Sequence, residues 1–75
     1  MKGKIVGIGM YKQKDSGKDR AHVYVQVPPP QGFLGVQVQH LNCSLDVFPM
    51  SPDKMLGKEF VIDCDNGFGN GFYEI

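Results

Sequence analysis

The stretch Arg20-Ala21-His22-Val23-Tyr24-Val25-Gln26-Val27 decides the fold class. Ala21, Val23, Val25 and Val27 share one parity; Arg20, His22, Tyr24 and Gln26 share the other. Side chains alternate across a strand, so this spacing puts an apolar row on one face and a polar, aromatic row on the opposite face. The β-branched residues favour a pleated backbone. The segment reads as a half-buried strand. Pro28-Pro29-Pro30 ends it, because proline brings no amide hydrogen to a ladder.

Working outward, residues 3–13 form an earlier extended segment rich in Ile and Val, with Gly7 and Gly9 inside it. Glycine within a strand marks a bulge or a sharp bend. Lys14-Asp15-Ser16-Gly17-Lys18-Asp19 carries turn chemistry and a basic tip. Downstream, residues 33–41 alternate again, and Cys43–Phe48 continues them after an expected kink at Asn42. Ser51-Pro52-Asp53-Lys54-Met55-Leu56-Gly57 is the one helical candidate, with Ser51 as cap, Pro52 at the first turn and Gly57 at the exit. Residues 58–65 read as a strand facing Phe60, Ile62 and Cys64 one way. An Asn-Gly pair at each end of Asn66–Gly71 signals a hairpin, and Phe72–Ile75 closes the chain as a last strand.

These segments amount to about five short strands joined by turns. With 75 residues, 10 glycines and 5 prolines, the chain is a single small domain, residues 1–75, of all-β class. So few strands must curl to enclose a core. The expected architecture is a small five-stranded, partly open Greek-key barrel of the OB type with at most one short helical turn, and an SH3-like barrel is its rival. Apolar residues make up 41%, enough for one core. No apolar run approaches a membrane span, and the glycine-broken N-terminus does not read as a signal peptide, so a cytoplasmic protein with no membrane partner is expected. Cys43 and Cys64 are read as small buried hydrophobes, although pairing between them stays open.

The formal net charge of zero hides a strong segregation. Residues 1–25 hold six cations (Lys2, Lys4, Lys12, Lys14, Lys18, Arg20) against two anions, Asp15 and Asp19. Residues 26–75 hold two cations, Lys54 and Lys58, against six anions. A basic half can hold a polyanion. Arg20, His22 and Tyr24 stand two residues apart and so project together from one sheet surface, with Lys12, Lys14 and Lys18 just across the expected hairpin. Single-stranded nucleic acid needs cations along its phosphates and flat rings for its bases. This constellation, with Phe68 set between glycines as a further stacking ring and Tyr11 as an additional one, is the candidate site. Single-stranded DNA or RNA is the expected partner.

Other chemistry finds little support. His22 and His40 are the only histidines, and neither has a serine or cysteine at a recognisable catalytic spacing. Gly67–Gly71 lacks the lysine and following helix of a phosphate loop. Asp63, Asp65 and Glu74 match positions of a calcium loop, but Phe68 occupies the place of its turn glycine. The sequence therefore calls for no enzyme, cofactor, metal or small-molecule substrate. An alternative reading is a protein-interaction or oligomerisation module of the same barrel class, with Phe68, Phe72 and Tyr73 as an adhesive edge.

The order of features resembles the filamentous-phage single-stranded DNA-binding proteins. The likeness rests on a lysine-containing first strand, a basic turn, a strand bearing Arg20 and Tyr24, the Pro49–Gly57 stretch, and the late Gly67-Phe68-Gly69 hairpin. It is a likeness of pattern, without a shared diagnostic motif. It implies an OB-type barrel, a homodimer, and coating of DNA strands in phage or mobile-element replication. It also implies base stacking by Tyr24 and Phe68, with Arg20 and nearby lysines on phosphates. The neutral net charge and acidic second half depart from that pattern.

Overall fold

A computed structural model describes residues 1–75. Five strands form the wall: β1 (Lys2–Lys12), β2 (Asp19–Val27), β3 (Gln37–Ser44), β4 (Glu59–Asp65) and β5 (Phe68–Glu74). They close into a barrel in the order β1-β2-β3-β5-β4, with β1 also pairing β4. All neighbours run antiparallel except β3 and β5, which are parallel. This ring order is the OB-type arrangement, the first of the two expected barrels. Closure rests on a narrow seam of two residue pairs, Asn42 with Phe68 and Cys43 with Gly69. A Cβ on Gly69 would come within 2.6 Å of the Cys43 sulfur, so only glycine permits the two backbones to meet there.

The alternation read over β2 holds residue by residue. Ala21, Val23, Val25 and Val27 are buried, while Arg20, His22, Tyr24 and Gln26 lie on the outer face. Ile5, Leu41, Cys43, Phe60, Ile62 and Phe72 complete the core from the other strands. Each large apolar side chain so buried contributes about 1.5–3 kcal/mol. Phe60 and Phe72 meet edge to face at 6.0 Å. The short helix α1 (Pro52–Met55) sends in one residue, the fully buried Met55. Gly57, at φ 82°, ends that helix as the sequence indicated, and its amide donates to the Ile5 carbonyl at 2.8 Å. No helix is long and apolar enough to cross a membrane.

Several local readings are corrected. β3 begins at Gln37, so Phe33 to Val36 lie in the preceding loop. Asn42 makes no kink; the strand runs through it to Ser44, and a single 3-10 turn, Leu45–Val47, follows. The two Asn-Gly pairs have different roles. Asn66 and Gly67 both take positive φ, as a two-residue hairpin turn of mirror type requires. Asn70 and Gly71 lie within β5, where the pairing with β4 skips Asn70. Phe72, expected on an exposed edge, is buried. Both cysteines are free thiols, Cys43 buried and Cys64 half-buried.

Candidate nucleic-acid interface

Two bulges shape the outer face of β1, β2 and β3. Strict alternation from the buried Ile5 would turn Tyr11 inward. The β1–β2 ladder instead jumps from Ile5–Val25 to Gly7–Tyr24, leaving Val6 unpaired. The extra residue reverses the phase, and Gly7, Gly9 and Tyr11 emerge opposite Tyr24, His22 and Arg20. The skip at Asn70 has the same effect on β5. Phe72 points inward against Ile62, yet Phe68, four residues earlier, is half exposed and paired with the outward Asp65. Each bulge turns one aromatic ring onto the surface.

The result is a continuous row. Tyr11 stacks on His22 with ring centres 4.5 Å apart and planes 18° from parallel. His22 Nδ1 and His40 Nε2 stand 2.7 Å apart, within hydrogen-bond distance, with the tautomer deciding which ring donates. The Tyr24 ring lies 5.2 Å from that of His40 and is 45% exposed. At the other end, Asn42 Oδ1 accepts from the Tyr11 hydroxyl and from Arg20 Nε, both at 3.0 Å. The guanidinium of Arg20 in turn lies 6.0 Å from the centre of the Phe68 ring. The row thus runs Phe68, Arg20, Asn42, Tyr11, His22, His40, Tyr24. The outward positions of β1 beyond the bulge, of β2 and of β3 include no carboxylate.

Of the residues singled out from sequence, Arg20, His22, Tyr24 and Phe68 are brought together here. Lys14 and Lys18 occupy the turn at the Tyr11–Arg20 end of the hairpin, held by amide donation from Gly17 to the Gln13 carbonyl and from Gln13 to the Lys18 carbonyl. Lys12 does not join them. It neighbours Tyr11 and so has the opposite parity, and its ammonium lies 3.9 Å from Asp19. Lys2 and Lys4 precede the β1 bulge: Lys2 stands opposite Val61 of β4, and Lys4 lies between Gln26 of β2 and Glu59 of β4. The N-terminal cations therefore do not all converge on the row of rings. Missing from the sequence reading are His40 and Asn42. Their places opposite Tyr24 and His22 follow from the β2–β3 register. The alternation in residues 33–41 pointed the other way, because His40 shares the parity of Leu34, Val36 and Val38, yet Val38 is exposed and Leu41 and Cys43 face the core.

No protein-family model matches the chain, and no match emerges among curated proteins or solved structures.

Proposed function

We propose that the protein binds single-stranded nucleic acid, DNA or RNA, with little regard to sequence, and that it is a binder and not an enzyme. The observation that carries this reading is the row of rings from Phe68 to Tyr24 with Arg20 set within it, free of carboxylates at the outward positions of β1 beyond its bulge, β2 and β3, with Asp65 opposite Phe68 at its end. Tyr24, Phe68 and the Tyr11–His22 stack offer faces for bases, while Arg20, Lys14 and Lys18 offer charge for phosphates. The surface coincides with the strand 2–3 face and flanking loops that OB barrels use for oligonucleotides, a parallel of fold that adds support by analogy. The resemblance of pattern extends the proposal to a cytoplasmic homodimer acting in phage or mobile-element replication.

The test is fluorescence anisotropy with labelled oligo-dT at low ionic strength. Binding is expected, and Tyr24→Ala should weaken it by about 1–3 kcal/mol, the worth of one stacked base. Absence of any binding at low salt would overturn the proposal.

One observation favours a second reading, a protein-interaction module. The loop between β2 and β3 exposes Phe33, Leu34 and Val36, with Leu34 at 101% of its reference area. Apolar side chains held out together mark a contact surface. Self-association of nucleic-acid-free protein on size exclusion, abolished by Leu34→Ser, would support this alternative.

A further inference from the structure

Glycine in a strand interior weakens the strand, so each one calls for a reason. Gly17, Gly32, Gly35, Gly57 and Gly67 have positive φ, which side-chain-bearing residues resist. Gly3 and Gly69 have no room, since an added Cβ would meet another atom at 2.4 and 2.6 Å, and at Gly71 it would meet the hydroxyl of the exposed Tyr73 at 2.8 Å and displace that ring. Gly7 stands beside the β1 bulge with Tyr24 laid against it, its ring carbon 3.6 Å from where a Cβ would be. Gly7 and Gly9 both have room for a Cβ, since 3.6 Å is an ordinary contact, but only Gly9 is left bare. Its φ is ordinary, and an added Cβ would meet nothing within 4 Å.

The position of Gly9 supplies what its own conformation does not. It is exposed on the outer face, paired with His22. Along β1 the outward positions are Gly7, covered by the Tyr24 ring, then Gly9, bare, then Tyr11, stacked on His22. At about 3.3 Å per residue, Gly9 lies about 7 Å along the strand from Gly7 and from Tyr11, so its bare backbone separates the positions over which the two flanking rings lie. Bare backbone at such a place lets a ligand approach closely.

We infer that Gly9 is the floor of a nucleobase subsite, with a base seated over its backbone between the Tyr24 ring and the Tyr11–His22 stack. The inference rests on the nucleic-acid reading and names the residue that limits what that face accepts. A branched side chain at this position would occupy the seat from open solvent without disturbing the core.

The experiment compares wild type, Gly9→Ala and Gly9→Val by oligo-dT anisotropy at low salt and by thermal unfolding. Gly9→Val should unfold at or above the wild-type temperature, because valine favours a strand. It should nevertheless bind oligo-dT about tenfold or more weakly, the loss of one stacked base, with Gly9→Ala in between. Binding by Gly9→Val within about threefold of wild type would overturn the subsite while leaving the nucleic-acid reading intact. A lowered unfolding temperature in both variants would also overturn it, since the glycine would then serve the fold. Failure of wild type to bind oligo-dT would remove the underlying reading itself.

Discussion

Cys43 shows how one residue serves the barrel's closure. Its thiol packs in the core, beside the Gly69 backbone that closes the ring. Burial pushes its pKa above the ordinary 9.0, and this outweighs the opposing effects of the Gly69 amide and the Arg20 charge. A raised pKa keeps the folded thiol protonated where the unfolded one ionises. The associated stability is therefore whole below 9.0 and declines as pH rises past it. Alkylation at mildly alkaline pH should label Cys64 first and reach Cys43 only on unfolding, as peptide mapping would report. In Cys43→Ala, this alkaline decline, followed by urea melts, should be smaller. The sequence already marked the residue as a buried hydrophobe. It gave no sign of the Gly69 contact, because residues 43 and 69 meet only through the parallel seam.

At the scale of elements, α1 stands out for how little it contributes beyond one side chain. Met55 is its only buried residue, and it is fully enclosed. Met55→Ala should cost about 2–5 kcal/mol, measured by urea denaturation, through the cavity left in a core that so short a helix cannot refill. The helix was legible because its punctuation is local: Pro52 at the start, Gly57 at the exit. The β2 face was equally legible, since period two needs no partner to be recognised. The phase of β1 and β5 was not. Whether Tyr11 and Phe68 point in or out depends on one unpaired residue in each strand, Val6 and Asn70, and a bulge is defined by the neighbouring strand's register. Glycines at 7 and 9 signalled an irregularity in β1 without saying where the phase would reverse.

For the whole molecule, neutral net charge need not preclude polyanion binding. Asp65 stands opposite Phe68 at the end of the row, but two other acidic residues of the later strands face cations away from it, Glu59 across from Lys4 and Glu74 paired with Lys58 at 3.1 Å. Exposed pairs such as these contribute little stability, but they neutralise cations away from the ring row. Each phosphate held by Lys14, Lys18 or Arg20 should add about −0.7 to the slope of log affinity against log salt. A titration at several salt concentrations should give a shallow slope, smaller than all six N-terminal cations would produce, since Lys2 lies on the β4 side and Lys4 and Lys12 each have a carboxylate residue opposite, Glu59 and Asp19. The barrel class was within reach of sequence because five strands in so short a chain must curl to enclose a core, but their order was not, since strand count left OB-type and SH3-like barrels both open. Which cations join the row depends on strand registers that no single segment reveals. The two bulges carry a genetic corollary. Val6 and Asn70 are supernumerary in their ladders, so loss of either codon would leave a regular strand in which plain alternation still turns Tyr11 or Phe68 outward. In-frame deletion of either residue should therefore spare the aim of the rings, as an exchange of amino acids there would.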